Sequence, residues 1–351
     1  MKYLLIDGNN LAVRAAFANE GLKNVDGIPT GVHFGVFQSL INLKQKFPDH
    51  KILIAWDSKS KRRMEESTDA VKQGIIPDAY KENRKKDEIP QPLQDFYKQS
   101  PFLQKGIGQV GLPQVRMIGF EADDVIASYV KALKASAEDV VVVTSDKDYY
   151  QILDSNVRLW DGMKMAEVTY DNWKLEWGIE PSQWVDVGAL MGDNGDNIYG
   201  VPGWGEKTAC KVIKKYGTWA KALDHFRDEY GKERITHPDL RDVDGGDVQF
   251  AYLQKKVSEK GRLVYPDISI DMPYTGVLLA FDQDKIDGSK SEIMALMFER
   301  RIKLAFSLKK MDDDIAELPE FDKTPINKTK LEEYFDFYDI KTLQNAMGLF
   351  E

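Results

Sequence analysis

The chain has 351 residues, 42% hydrophobic and 30% charged, with 16 Phe, 15 Tyr and 7 Trp, a composition that excludes a disordered chain and supports a sizeable core. Its net charge of −9 does not decide for or against a nucleic-acid partner, because residues 59–86 carry nine Lys/Arg against five Asp/Glu and residues 203–217 four Lys against one Glu. A single cysteine, Cys210, excludes an internal disulfide; no apolar run approaches the ~20 residues of a membrane span, and the opening run of residues 3–6 is shorter than a secretory leader.

Three short apolar runs read as buried parallel strands, and each ends in aspartate. Tyr3-Leu4-Leu5-Ile6 leads into Asp7-Gly8-Asn9-Asn10, Ile52-Leu53-Ile54-Ala55-Trp56 into Asp57, and Val140-Val141-Val142-Val143-Thr144 into Ser145-Asp146-Lys147-Asp148. Helix-like segments follow at residues 11–17 and 31–47, so the pattern is βαβ: an α/β fold with a mainly parallel central sheet flanked by helices. Such sheets bind ligands at the carboxyl ends of their strands. Any one of these aspartates could simply cap the next helix. Three together point to a cation site, because gathered carboxylates repel one another unless positive charge holds them.

Between residues 58 and 110 charge dominates and apolar periodicity is weak. Lys61, Arg62 and Arg63 open this stretch, and Tyr80-Lys81-Glu82-Asn83-Arg84-Lys85-Lys86 follows. The choice is between a solvated surface loop and a mobile basic segment gripping single-stranded DNA; the length of the connection favours the second. Glu121-Ala122-Asp123-Asp124 then opens a helix to about Lys134, with Ala122, Val125, Ile126, Tyr129, Val130 and Leu133 as its buried stripe and the three acids off it. Acids at that end also complement the helix dipole.

Gly192-Asp193-Asn194-Gly195-Asp196-Asn197 is a glycine-rich acidic loop that lacks the spacing of a calcium loop. An Asx turn is its plain alternative. Counting this loop, the candidate metal set is Asp7, Asp57, Glu121, Asp123, Asp124, Asp146, Asp148, Asp193 and Asp196. None has Cys or His neighbours of a zinc site, and all-oxygen ligation favours Mg2+ or Mn2+. Directly after come Gly200, Gly203 and Gly205, with Lys207, Thr208, Lys211, Lys214 and Lys215 on the following helix. Its amino-terminal amides and lysines suit a DNA backbone.

The order of these motifs resembles the flap endonuclease and 5′–3′ exonuclease family, most of all its free-standing bacteriophage enzymes. Asp7-Gly8-Asn9-Asn10 is similar to its first metal motif, Trp56-Asp57 to its second, and Tyr80 to Arg84 to its arch. The acidic runs at 121–124, 145–148 and 192–197 match its later acidic motifs, and residues 200–209 its helix-two-turn-helix hairpin. Residues 330–343 are a looser likeness to its closing helical segment. The likeness covers residues 1 to about 217; Glu65-Glu66-Ser67-Thr68-Asp69 and the long acidic section 218–300, with an exposed loop expected at 242–247, depart from it.

The resemblance implies a PIN-like nuclease fold with a helical arch and a two-metal mechanism. Asp7, Asp57, Glu121, Asp123 and Asp124 would serve one ion; Asp146, Asp148, Asp193 and Asp196 would serve the other. Mg2+ is the implied metal, Mn2+ its substitute, with K+ at the 200–209 hairpin. Lys81 and Arg84 would face the scissile phosphate, Tyr80 would stack on a base, Arg14 would reach the same site, and Asn83 would be a spacer. DNA binding falls to Gly203, Gly205, Lys207, Thr208, Lys211, Lys214, Lys215, Lys61, Arg62 and Arg63.

The expected organisation is a nuclease body over 1–190 containing the arch at 58–110, a DNA-binding region over 191–260, and a C-terminal helical segment over 261–351 packed back on the body. The expected protein is a cytoplasmic, free-standing monomer of a bacterial cell or phage-infected host, working in replication or repair on branched DNA with a 5′ flap or 5′ end, or on RNA–DNA hybrid. Two other readings compete: a PIN-like nuclease acting on RNA, and a non-catalytic DNA-binding or replisome adaptor. Residues 343–351 offer either a replisome contact or a helix end packed on the body.

Overall fold

The computed structural model describes residues 1–84, 89–201, 203–232, 288–321 and 323–351; of 226–232 and 288–298 only the backbone is described. Lys85, Lys86, Pro202 and the loop expected at 242–247 therefore lie outside the described residues. The chain divides into two compact units, one formed by Met1–Glu65, Arg84–Ser182 and Lys310–Glu351, the other by Glu66–Asn83 and Gln183–Lys309.

The first unit is a six-stranded sheet of β1 (Lys2–Asp7), β2 (Lys51–Ala55), β3 (Gln114–Val115), β4 (Asp139–Val143), β5 (Val157–Asp161) and β6 (Ala166–Val168), in the order β3-β2-β1-β4-β5-β6. All pairings are parallel except β5 with β6, an antiparallel edge. Leu4, Ile52 and Val141 stand in register, as do Ile6, Ile54 and Val143. All six belong to one hydrophobic core with α1 (Gly8–Ala18), α2 (Gly31–Lys46) and α4 (Gln91–Gln109). The near-continuous apolar runs are explained by this arrangement, since a central parallel strand is covered on both faces.

The charged segment after β2 is largely helical, as α3 (Lys61–Lys72) and α4, in keeping with the helical arch that the resemblance implies and not with a surface loop. On α4 the buried residues Phe96, Leu103 and Ile107 recur at helical spacing, diluted by polar neighbours. On α3 the buried stripe is Arg63, Ser67 and Ala70, which no hydrophobicity pattern reveals. Then come α5 (Ala122–Leu133) and α6 (Tyr170–Trp177). At the C-terminus, α11 (Lys328–Phe337) and a 3-10 helix over Lys341–Phe350 insert Leu331, Phe335, Leu343, Met347 and Phe350 into the core. Met347 and Phe350 are thus packed on the body, while Leu349 between them and the chain end at Glu351 are exposed.

The second unit contains α7 (Trp184–Met191), α8 (Glu206–Tyr216), α9 (Trp219–Lys232) and α10 (Gly288–Lys309). Gly192 and Gly200 form the crossing between α7 and α8. Gly192 has φ +71°, and a Cβ there would lie 2.4 Å from the Gly200 nitrogen.

Candidate active site and nucleic-acid interface

In the first unit the three strand-end acids lie on neighbouring strands. Asp7 closes β1, at the centre, while Asp57 and Asp146 follow β2 and β4 on either side. Gly8, Asn9 and Asn10 hold these ends together. A Cβ on Gly8 would meet the Ala55 carbonyl oxygen and Trp56 Cε3, each at 2.8 Å, so only glycine lets the turn sit against β2. Asn9 Oδ1 accepts the Asp57 N–H at 3.2 Å, and Asn10 Oδ1 accepts the Ser145 N–H and hydroxyl at 3.2 and 3.1 Å. The two asparagines thus bind the β2 and β4 ends to the β1 end.

Asp7 is buried. Its Oδ1 accepts the Asn10 N–H at 2.9 Å and its Oδ2 the Tyr149 hydroxyl at 3.0 Å. Burial, then the charges of Asp57 and Asp146, push its carboxyl up to about 8 against those two hydrogen bonds. Asp57 Oδ1 accepts the Ala122 N–H at the start of α5, at 2.9 Å. Asp146 caps a 3-10 helix over Lys147–Ile152 by accepting the Asp148 N–H at 2.9 Å.

Glu121 and Asp124 form a capping box at the start of α5. Asp124 is fully buried, so the expectation that all three acids lie off the buried stripe is corrected for this one. The burial is compensated by Arg63, 1% exposed, which donates to Asp124 at 2.8 and 3.1 Å, to Asp123 at 3.1 and 3.3 Å, and to Glu121 at 3.0 Å. Burial and Asp123 push the Asp124 carboxyl up to about 7, against the pull of Arg63 and the Asp312 and Glu121 N–H groups. Arg63 cannot also contact a DNA backbone, which corrects its expected role. Arg62 is likewise engaged, donating to Asp312 Oδ2 at 2.9 Å and to the Lys310 carbonyl at 2.8 Å, while Lys61 is exposed.

Arg14 lies one turn after Asn10, donates to Asp161 at 3.4 Å, and lines a cleft of about 610 Å³ with Asn10, Phe17, Lys46 and Trp160. Burial lowers its guanidinium while Asp161 opposes the shift. Among the described residues no three carboxyl, imidazole or thiol groups form a ready-made ion site. The donor set nonetheless suits a hard divalent cation. It is all-carboxylate, and the charges of Asp57 and Asp146 raise the proton affinity of Asp7, the repulsion that such a cation relieves.

In the second unit the acidic loop makes an Asx turn: Asp193 Oδ1 accepts the Gly195 N–H at 2.9 Å, and Asp193 Oδ2 accepts Lys309 Nζ at 2.9 Å. Burial raises the Asp193 carboxyl, but Lys309 and two backbone N–H groups outweigh it and hold it below its usual range. The segment carrying Tyr80 packs on this loop. Lys81 has φ 58°, its N–H donates to the Asp196 carbonyl at 3.0 Å, and its Nζ lies 3.9 Å from the Asp196 carboxylate. Tyr80 is buried with its hydroxyl 3.5 Å from Asp196, so its face is not presented for stacking on a base as expected. Asn83 is not a spacer, since its amide donates to the Asn194 carbonyl at 2.9 Å. Arg84, in the first unit, is exposed. Gly205 precedes α8, which presents Lys207, Lys211, Lys214 and Lys215 to solvent and buries Ala209, Val212 and Ile213; Thr208 is half-buried and Gly203, at φ +79°, exposed.

Strand-end carboxylates on a parallel sheet, with a lysine-faced helix in a separate unit, define the class as an α/β protein with an acidic cluster at its strand ends. The N-terminal, resolvase-like domain of 5′–3′ exonucleases matches residues 2–178, and their C-terminal SAM-fold domain matches residues 179–243. The chain belongs to the 5′–3′ exonuclease family.

A protein named 5′-3′ exonuclease from Buchnera aphidicola subsp. Schizaphis graminum is 31% identical over 77% of this chain and 87% of its own length. The thermostable DNA polymerase I of Thermus thermophilus is 31% identical over 67% of this chain; the match spans 27% of the polymerase. Among solved structures, the bacteriophage T5 5′-exonuclease with bound zinc has a TM-score of 0.56 at 17% identity, with 100% of both chains covered. A bacteriophage T5 flap endonuclease in complex with DNA and metal ions gives 0.55 at 16% identity, covering 100% of this chain and 99% of the other. These structural likenesses establish a shared fold.

Sequence reasoning missed Asn9, Asn10, Tyr149 and the true partners of Arg63. Asn9 and Asn10 were legible as neighbours of Asp7. Nothing local marks Tyr149 or Arg63, whose carboxylate partners lie far along the chain.

Proposed function

We propose that the protein is a structure-specific 5′ nuclease, cutting DNA at a 5′ flap or 5′ end and leaving a 5′-phosphate and a 3′-hydroxyl. The carrying observation is the row of Asp7, Asp57 and Asp146 at the carboxyl ends of three adjacent parallel strands. Mg2+, with Mn2+ as substitute, fits this oxygen-only set, and Glu121, Asp123, Asp124 and Asp148 extend it in the first unit. For Asp193 and Asp196, in the second unit, a metal-binding role rests on family likeness alone, as does K+ at the 200–209 hairpin. Bound there, a metal pair supplies Lewis acidity for water attack on the phosphodiester and departure of the 3′ oxygen.

The chain's own residues do the rest. Asn9 and Asn10 keep the strand ends in register, and the Tyr149 hydroxyl orients Asp7. Arg14 supplies positive charge for the reacting phosphate in the first unit, and by family likeness Lys81 and Arg84 are assigned the same role. The exposed lysines of α8 hold the duplex backbone without reading its sequence. Its place of action is replicating DNA in a bacterial or phage-infected cytoplasm, with primer RNA–DNA hybrid as a second substrate.

A 5′-labelled flap duplex incubated with Mg2+, beside plain duplex and an EDTA control, tests the proposal. Metal-dependent release of the flap near its junction is the expected result. Tight binding without cleavage would favour an adaptor instead.

A further inference from the structure

Arg63 has more carboxylate contacts than any ordinary surface ion pair requires. It reaches both oxygens of Asp123, both oxygens of Asp124 and Oε2 of Glu121 from a side chain that is 1% exposed. Its position is set on three sides. Ser60 Oγ accepts the Arg63 N–H at 3.2 Å, and the Lys61 N–H donates to the Gly119 carbonyl at 2.9 Å, fastening the start of α3 beside the start of α5. Arg62 holds Asp312 and the Lys310 carbonyl, and the Asp312 N–H returns to Asp124 Oδ1 at 2.8 Å.

The same three carboxylates belong to the set assigned above to divalent metal. A guanidinium forked across both oxygens of two carboxylates uses the lone pairs that an ion would use. A cation within hydrogen-bond reach also opposes the arrival of a second one.

We propose that Arg63 is a resident counter-cation for Glu121, Asp123 and Asp124, a positioning residue that holds them ordered without metal and yields at least part of its contacts when an ion binds. The inference rests on the metal-nuclease reading of this site. It explains how a fully buried Asp124 and its two acidic neighbours are tolerated at one helix start. It also makes ion binding a competition rather than simple occupancy.

The competition has a sign that a purely structural arginine would not share. A structural arginine, once removed, leaves the carboxylates disordered, and ion binding weakens. A competing arginine, once removed, leaves them more negative, and ion binding tightens. The experiment is calorimetric titration of MnCl2 and MgCl2 into the full chain, its Arg63→Gln and Arg63→Lys variants, and Asp146→Asn as a control away from the Arg63 contacts. Thermal unfolding in EDTA and in Mg2+ runs in parallel.

Arg63→Gln is expected to bind Mn2+ about tenfold more tightly than the wild type, the scale of removing one partly screened competing cation. Its Tm in EDTA falls and its Mg2+-induced rise in Tm exceeds that of the wild type. Arg63→Lys, which keeps the charge and loses the fork, falls between the two. Equal or weaker Mn2+ binding by folded Arg63→Gln overturns the proposal. Should that variant not fold, Mn2+ binding by Arg63→Lys no tighter than wild type overturns it as well. Absence of Mn2+ uptake by wild type and both Arg63 variants instead defeats the metal-nuclease reading, and the counter-cation role with it.

Discussion

Replacing Asp7 with asparagine removes one negative charge from a buried position while keeping its shape. The Asn10 N–H keeps an acceptor at Oδ1, and the Tyr149 hydroxyl can accept from the new amide in place of donating to Oδ2. The carboxyl stands at about 8 instead of 3.8, through burial first and then through Asp57 and Asp146. At about 1.4 kcal/mol per pH unit, full ionisation would cost ~6 kcal/mol without metal, a ceiling that relaxation and water entry reduce to about 2 kcal/mol.

The sign follows from proton linkage. A carboxyl raised on folding binds more protons in the native state between its two values, so its contribution is full below about 4 and is lost as pH rises towards about 8. Urea unfolding in EDTA should therefore find Asp7→Asn and wild type similar near pH 4.5. By pH 8.5 the variant should be the more stable by about 2 kcal/mol. With Mg2+ present, the same variant should lose cleavage by orders of magnitude. A variant less stable than wild type at pH 8.5 in EDTA would falsify the electrostatic account of this site.

Three further outcomes follow from other parts of the molecule. Lys207→Ala or Lys211→Ala should weaken duplex binding and lower the slope of log affinity against log salt by about 0.9, read from titrations at several salt concentrations; an unchanged slope removes α8 from the interface. Gly8→Ala pushes a methyl against the Ala55 carbonyl and Trp56, and should cost about 2 kcal/mol in urea unfolding together with most of the cleavage rate; near-wild-type values for both would show that the strand ends tolerate separation. His33 is fully buried between Gln99 and Tyr334, stacked on Tyr338, and burial lowers its imidazole to about 4. Stability from this group is full above about 6.5 and falls towards pH 4, by up to ~3 kcal/mol, so a folded His33→Gln variant should show a shallower acid loss and an equal slope would refute the assignment.

The legible part of the structure was the part encoded by local patterning. Four- and five-residue apolar runs followed by aspartate can be satisfied in a parallel sheet covered on both faces, and β1, β2 and β4 appear as expected with Asp7, Asp57 and Asp146 at their ends. The stripe of α5 and the lysines of α8 were equally readable, because helical periodicity needs no distant partner. What local pattern could not reveal was the fate of polar groups that fold inward. Arg63 looks like part of a basic surface run until Asp123 and Asp124 supply the charges that make its burial tolerable. Tyr80 and Tyr149 carry hydroxyls whose acceptors lie more than a hundred residues away, on Asp196 and Asp7. The amino-acid order by itself determined which residues could form strands, helices and acidic ends. Tertiary structure alone decided which charges face solvent and which neutralise one another, because a buried ionic or hydrogen-bonding group is stable only beside a partner that local sequence does not name.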